Sequence, residues 1–129
     1  MMIRSFLFFL FFCCAFIGKA QSQFERDFRD STLRIDYVFS GTNDTQEIAV
    51  DELKSFAGWA GRRVNLQQVP LKGNGELVMC DAQDGSVLYK HSFSTLFQEW
   101  QSSEEATQVR RSFENVFLLP FPRRNVKIT

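Results

Sequence analysis

Alternating apolar and polar positions dominate the middle of the chain and predict β-strands. In "LRIDYVF" every second residue from Leu33 to Phe39 is apolar, which is the period of a half-buried strand. The segment "TQEIAV" predicts a second, short strand, and "RRVNLQQVPL" a third that Pro70 restricts to a sheet edge or a strand end. The aromatic-rich run "FENVFLLPF" predicts a core strand, and "NVKIT" resumes the alternation.

Turn signals separate these segments. The cluster Gly41–Asp44 ends the first strand. Asp84-Gly85 lies between "ELVMCD" and "SVLYKHSF" and favours a tight reversal, so these two segments are predicted to form a β-hairpin. The run Gly73-Asn74-Gly75 predicts another turn, because glycine adopts positive φ without steric cost.

Helix-like spacing is found in two apolar segments. In "DELKSFAGWAG" the residues Leu53, Phe56 and Trp59 are three apart and Gly61 follows, which predicts a helical turn or an irregular corner. The segment "STLFQEW" predicts a helical turn with its three large apolar residues on one side. Those three residues are Leu96, Phe97 and Trp100.

A capping signal follows these segments. Ser102 and Glu105 have the spacing of a capping box, and "SEEATQVRRS" is therefore predicted to form a short helix.

Many short strands with frequent turns predict an all-β fold, an antiparallel, jelly-roll-like β-sandwich with one or two short helical turns. The last strand, Val126–Thr129, has no stop signal after it. We therefore expect a strand that is truncated or that normally continues into another segment. Such a strand exposes a pairing edge, so the isolated chain is expected to be marginally stable or to self-associate.

The N-terminus has a different pattern. Arg4 precedes the apolar run "FLFFLFFCCAFIG", which has the length of a signal peptide and is too short for a membrane-spanning helix. Gly18 and Ala20 are small residues at the positions that a signal peptidase reads. We therefore predict a signal peptide over residues 1–20, a polar lead-in over residues 21–30 and one domain over residues 31–129. The protein is expected to be exported, to the periplasm, the cell surface or the medium.

Removal of residues 1–20 changes the charge and the cysteine count. The whole chain has 15 basic and 15 acidic side chains, and the leader holds Arg4 and Lys19 but no acid. The mature chain then carries 13 basic and 15 acidic groups. This balance offers no basic field for nucleic acid or for an anionic membrane. Cys80 remains as a single cysteine in an apolar run, so the exported fold must be held by its core and not by a disulfide.

The only histidine, His91, lies near Ser92 and Ser94, and a hydrolase that uses Ser94 and His91 is one hypothesis. Neighbours along a strand point to opposite faces, and serines are common, so a structural role for His91 is the better interpretation. One histidine and one core cysteine do not make a zinc site, and His-Glu-x-x-His is absent from the sequence. We predict no catalytic residue, no metal ligand and no cofactor in this chain.

Four side chains form the candidate interaction surface. Two tryptophans could stack on sugars as part of an exposed aromatic row, although core packing is the default for such residues. An arginine pair lies close to the first tryptophan, and surface salt bridges are the simpler role for it. The four candidates are Trp59, Arg62, Arg63 and Trp100.

The order of these motifs resembles a known family. "LRIDYVFSGTNDTQEIAVDEL", "GWAGRRVNLQQVPLKGNGELVMCD", "YKHSFSTLFQEW" and "EEATQVRRSFENVFLLPFP" are similar to the N-terminal domain of the IgA peptidases, secreted bacterial zinc metallopeptidases. The resemblance covers about residues 31–129. It implies a β-sandwich that precedes a metallopeptidase domain, and it places zinc and catalysis in that second domain. No catalytic residue can therefore be carried over to this chain.

Two functions from different classes follow. The first is a non-catalytic accessory domain of an exported metallopeptidase-type protein, which packs against or positions a peptidase domain or a protein substrate. The alternative is a stand-alone extracytoplasmic module that binds carbohydrate or glycoprotein. An exposed row that includes Trp59 or Trp100 would favour the alternative, and burial of both would count against it.

Overall fold

The structure is a computed structural model that describes residues 21–129. The predicted signal peptide, residues 1–20, lies outside the described residues. Two antiparallel sheets of three strands each form the fold, with strand orders β2-β1-β5 and β4-β3-β6. The elements are α1 (Gln23–Asp27), β1 (Phe28–Gly41), β2 (Gln46–Ala57), β3 (Gly75–Asp81), β4 (Val87–Phe93), α2 (Leu96–Gln101), a 3₁₀ turn (Glu105–Thr107), β5 (Arg111–Pro122) and β6 (Val126–Ile128). The predicted all-β sandwich is confirmed. The described residues form six strands, fewer than the eight or so of a jelly roll.

β1 is the central strand of the first sheet, and its alternation was correctly predicted. Ile35, Tyr37 and Phe39 are buried on the face that meets the second sheet. Aromatic rings continue this layer: Tyr37 stacks on Phe117 of β5 at 4.3 Å between ring centroids. Phe93 of β4 meets Phe117 from the other sheet, at 4.7 Å between ring centroids. The core is therefore a layer of aromatic rings enclosed by the two sheets, where large rings gain most from burial.

β2 is longer than its sequence pattern predicted. The helical turn expected at "DELKSFAGWAG" is wrong, because the strand runs to Ala57, and the irregular corner is confined to residues 58–61. The register between β1 and β2 shifts at Asp36/Tyr37, so that Val50 pairs with Tyr37 and Leu53 pairs with Ile35. This bulge brings two residues that are three apart onto one face of the sheet. The helix-like spacing of Leu53 and Phe56 is a coincidence, since these two residues pair with Ile35 and Thr32 and lie on opposite faces of the strand.

Residues 21–30, described from sequence as a polar lead-in, contribute α1 and the first residues of β1. Ser22 and Glu25 form a capping box that starts α1. Phe24 and Phe28 are buried, with ring centroids 5.6 Å apart. The packed part of the chain therefore begins before residue 31.

Residues 58–74 form an irregular connection, and the strand predicted at "RRVNLQQVPL" is absent there. Arg62 and Leu66 anchor this loop on the second sheet. Arg62 donates to the carbonyl oxygens of Leu66, at 3.1 Å, and of Gln68 and Lys90, and the Lys90 amide donates to the Leu66 carbonyl at 2.9 Å. Leu66 is buried, whereas Val64 and Leu71, which also suggested a strand, are 72 and 84% exposed.

The hairpin β3–β4 is confirmed, with Gly85 at φ +75° in its turn. The turn around Gly73 and Gly75 needs glycine for another reason than the one predicted, since neither has positive φ. A Cβ on Gly73 would lie 2.2 Å from the carbonyl oxygen of Phe93, and one on Gly75 would lie 2.5 Å from the Phe93 ring. Close packing against β4 therefore selects these glycines.

The predicted turn at "STLFQEW" is confirmed as α2, capped by Thr95. Phe97 is buried and Trp100 is partly buried, but Leu96 is exposed, so its predicted place on the packed side is wrong. The helix predicted to start with the pair Ser102 and Glu105 is reduced to a 3₁₀ turn without a side-chain cap. β5 begins at Arg111, within the segment "SEEATQVRRS" that was predicted to be helical, and so limits the length of any helix there.

No helix within residues 21–129 is long and apolar enough to span a membrane.

Candidate interaction surface

His91 lies on β4 with its side chain exposed. Ser92 Oγ accepts from the Gly73 amide at 2.6 Å and donates to the Gly75 carbonyl at 3.0 Å. Ser94 Oγ lies 3.4 Å from the Asn74 amide. Both serines thus bond to the glycine turn, and within residues 21–129 neither makes a hydrogen bond to His91. Although the His91 side chain is exposed, the desolvation of its partly covered ring, and then the positive charge of Arg62, lower its pKa. The geometry is that of a strand residue beside a turn.

Metal coordination has no support in the described part of the chain. Within residues 21–129, no group of three or more His, Cys, Asp or Glu side chains is placed to hold a metal ion.

Three of the four candidate surface residues form one internal contact set. Trp59 is only 9% exposed, and its indole Nε1 donates to the Arg62 carbonyl at 3.0 Å. The Arg62 guanidinium lies 4.9 Å from the centre of the Tyr89 ring. Arg63 bonds to Asp30 at 2.6 Å. These side chains tie the loop after β2 to β1 and β4, so their polar groups are largely engaged within the fold.

Trp100 lies in a different cluster. Its ring packs against Phe97 and Phe113, with centroids 5.8 and 5.6 Å away, and its Nε1 donates to Glu105 at 2.9 Å. Trp59 instead contacts Tyr89. The two tryptophans therefore do not share an aromatic neighbour, and the burial of Trp59 counts against an exposed sugar-stacking row that includes it.

An uncovered row of apolar side chains lies on β2. Ile48, Val50 and Leu53 pair with the buried β1 residues and face the same side of the sheet. They nevertheless remain 57, 62 and 62% exposed. The reason is topological: β2 is an edge of its sheet, and the facing sheet ends at β6, which has only three residues.

These side chains line a groove of about 440 Å³ between the two sheets. We call it the β2–β6 groove. Ile48, Val50 and Leu53 form one wall, and Val126 and Ile128 line the opposite side. The floor contains Tyr37, whose pKa is raised by burial to about 12. The groove is thus an apolar cleft in which the phenol stays uncharged.

Charge is scarce in the groove. Glu76 is the one charged residue among those that line it, and its carboxylate is bridged to Lys90 at 3.2 Å. A surface that exposes contiguous apolar side chains with little charge is typical of a site that another polypeptide covers. The arrangement can bind an apolar surface; it offers no set of groups for acid–base or nucleophilic chemistry.

The sequence predicted the β6 side of this groove but not the β2 side. The open pattern at Val126–Thr129 predicted a pairing edge, and β6 is indeed the edge of its sheet. The β2 wall was missed because the second half of the strand was predicted as a helical turn from the spacing of Leu53, Phe56 and Trp59, and because the bulge puts Leu53 out of phase with Ile48 and Val50. The signal available in the sequence was the run "EIAV" followed by Leu53 one residue out of phase.

Comparison with known proteins agrees with this architecture. The model of the family described as "Peptidase M64 N-terminus" matches residues 23–129, and this match confirms the resemblance to the N-terminal domain of the IgA peptidase family. A search of curated proteins finds no match. The matched range contains both sheets, α1 and the β2–β6 groove. The chain therefore belongs to the family of peptidase M64 N-terminal domains.

Proposed function

We propose that this chain is the non-catalytic accessory domain of an exported metallopeptidase-type protein, and that it packs against the peptidase domain through the β2–β6 groove. The observation that carries the proposal is the row Ile48, Val50 and Leu53. These residues face the core side of the sandwich and are more than half exposed. In a family of peptidase N-terminal domains, the natural occupant of such a surface is the peptidase domain.

Energetics favour burial of this row. Covering a fully exposed valine or leucine side chain contributes about 1.5–3 kcal/mol. Three side chains that are more than half exposed would together contribute several kcal/mol at a protein interface, before the entropic costs of association are counted. The scarcity of charge in the groove means that little desolvation penalty opposes docking.

Two substitutions on the same strand test the proposal. Val50→Asp places a carboxylate on the groove wall, whereas Ala49→Asp places one on the outer face of β2, where Ala49 pairs with Val38. Both positions are exposed, so neither substitution should unfold the isolated chain. Residues 21–129 and the peptidase domain of a protein that carries an N-terminal domain of this family would be purified separately and mixed in a calorimeter.

We expect the unsubstituted chain and Ala49→Asp to bind the peptidase domain, and Val50→Asp to bind at least about tenfold more weakly. Equal binding by both variants would place the interface elsewhere. If a folded peptidase domain does not bind the unsubstituted chain, the proposal is overturned, and a protein substrate is the next occupant to test.

Export is the second part of the proposal. The support is the apolar run behind Arg4 and the small residues Gly18 and Ala20. Expression of the whole chain in a bacterial host, followed by mass spectrometry of the periplasmic fraction, tests it. We expect a chain that begins at or within two residues of Gln21. Recovery of uncleaved chain in the cytoplasm would contradict export.

A further inference from the structure

We propose that the β2–β6 groove is occupied by an extended segment of the peptidase domain, which pairs with the free edge of β6 as a fourth strand of the second sheet. This inference rests on the proposed function and specifies its mode. The central observation is an imbalance between the two sheets on this side of the sandwich. β2 runs for 12 residues, whereas β6 runs for three.

The hydrogen-bond register of β6 leaves donors and acceptors unused at that edge. Thr129 and Val78 exchange both backbone hydrogen bonds, at 2.8 and 3.0 Å, and the Ala82 amide bonds to the Asn125 carbonyl at 3.0 Å. In an antiparallel pair, bonded positions alternate with positions whose N–H and C=O point away. Val126 and Ile128 therefore direct their backbone groups toward the free edge.

Side-chain direction at β6 matches the groove. Val126 and Ile128 line the groove, while Lys127 is exposed on the other face. A strand added beside β6 would extend the second sheet across β2 and place every second side chain against Ile48, Val50 and Leu53. A strand added to the edge of β2 would widen the first sheet in its own plane and leave the row Ile48, Val50 and Leu53 uncovered. The geometry therefore selects β6.

The chemistry of the occupant follows from the lining. Its inward positions must be apolar, because the groove offers one carboxylate that is already bridged to Lys90. Its outward positions lie beside Lys127 and are free to be polar. An extended segment with alternating apolar and polar residues meets both conditions, and recognition of this kind takes affinity from main-chain bonds and specificity from alternate side chains.

A graft tests whether β6 accepts a strand. The peptide Gly-Asn-Gly-Asn-Gly-Val-Thr-Val-Lys, joined after Thr129, supplies a flexible loop that leaves the Thr129 bonds to Val78 intact and lets its valines lie opposite Ile128 and Val126, whose N–H and C=O face the free edge. The control peptide Gly-Asn-Gly-Asn-Gly-Asp-Thr-Asp-Lys has the same length and loop but carries aspartate in place of both valines. Amide exchange would be followed by NMR. We expect the amides of Val126 and Ile128 to exchange at least about tenfold more slowly with the first graft, and to be unchanged with the control.

The same two amides report on the natural occupant. On addition of the separately purified peptidase domain we expect their exchange to slow as in the graft. Binding that depends on Val50 but leaves both amides unprotected would retain the proposed function and overturn strand addition. Protection that rises with the concentration of this chain alone would assign the groove to a second copy and overturn the occupant. Equal protection by both grafts would also overturn the inference.

Discussion

The guanidinium of Arg124 lies 2.6 Å from the carboxylate of Asp27 and 3.1 Å from that of Asp81. Both acids are nearly inaccessible, at 3 and 6% exposure, and they come from α1 and from the end of β3. One arginine in the β5–β6 turn thus bridges two buried carboxylates from distant parts of the chain. Its neighbour Arg123 donates to the carbonyls of Glu25 and Phe28 at 2.9 and 2.7 Å, so the arginine pair joins the first sheet, α1 and the second sheet.

Loss of Arg124 is expected to be costly. Arg124→Met leaves the buried Asp81 carboxylate without its cation, and leaves Asp27 with only the longer contact to Arg26, at 3.4 Å. Removing one partner of a buried ion pair costs about 3–5 kcal/mol. Because Arg124 is itself partly exposed, we expect a loss of about 3 kcal/mol in the free energy of unfolding, measured by urea denaturation. Arg26→Met is the control: it also removes a partner of Asp27, but the Arg26 side chain is 58% exposed and should contribute less than about 1 kcal/mol. Equal effects would contradict the bridging role.

The two kinds of glycine requirement can be separated by substitution. Gly73→Ala would force a Cβ to within 2.2 Å of the Phe93 carbonyl, a backbone atom that cannot rotate away, and should cost about 3 kcal/mol. Gly85→Ala meets no atom within 4 Å but must adopt φ +75°, which costs about 1–2 kcal/mol. Gly85→Asn should be milder still, since asparagine tolerates that region. Thermal unfolding would give the ranking, and a Gly85 effect as large as that of Gly73 would refute it.

Much of the sandwich could be predicted because it depends on local signals. β1 has apolar positions at a period of two, which burial of one face imposes. The hairpin β3–β4 is indicated by Asp84-Gly85 between its strands, and β5 by an aromatic-rich run. The segment at Asp51 could not be predicted, since the bulge there exists only in relation to β1. A single inserted residue changes which side chains share a face, and a pattern read within one segment cannot show it.

Long-range contacts account for the other differences. Residues 62–71 resemble a strand, but the loop is held by scattered contacts and not by a ladder. Arg62 binds carbonyl groups of its own loop and of Lys90 on β4, the Lys90 amide donates to the Leu66 carbonyl, and the Gln67 side chain donates to the Val87 carbonyl. The β2–β6 groove could not be predicted in full for the same reason, because its two sides come from segments that are distant in the sequence. The sequence indicated an open edge at Val126–Thr129, but the facing wall on β2 depended on which strands become neighbours.

Stability should depend on pH through His91. Partial desolvation of the exposed His91 side chain, and then the positive charge of Arg62, lower its pKa below the ordinary value of 6.5, so the unfolded chain binds this proton more readily than the folded chain. The contribution of His91 is therefore complete above pH 6.5, decreases as the pH falls through that value, and levels off below the folded-state pKa. Urea titrations across this range should show the slope for the unsubstituted chain.

His91→Gln should flatten that slope without loss of stability at neutral pH. Carboxyl groups do not obscure the test: the Arg63 hydrogen bond lowers the pKa of Asp30 below its ordinary 3.8, so its contribution is lost only at lower pH. An unchanged slope in the variant would show that His91 is not the titrating group.

Tyr37 makes the opposite prediction at alkaline pH. Burial raises its pKa from 10 to about 12, so the unfolded chain releases the phenol proton first. The free energy of unfolding should fall as the pH rises from 10 to about 12. Tyr37→Phe should remove that decrease, and binding of the peptidase domain should delay ionisation further by covering the groove. Urea denaturation at several alkaline pH values measures the decrease in the free energy of unfolding. The absorbance of tyrosinate against pH measures the ionisation of the phenol with and without the peptidase domain.

A paired comparison across β1 and β2 tests whether the groove is open in the isolated chain. Ile35 and Leu53 are opposite each other in the sheet and face the same side, but Ile35 is 7% exposed and Leu53 is 62% exposed. Ile35→Ala should cost about 2–5 kcal/mol, as expected for a core truncation. Leu53→Ala should change the free energy of unfolding by no more than about 0.5 kcal/mol, because most of its side chain already contacts water. Denaturation at several chain concentrations distinguishes the alternatives. A large Leu53 effect that grows with concentration would mean that a second copy covers the groove, whereas a large effect independent of concentration would mean that the chain closes the groove itself.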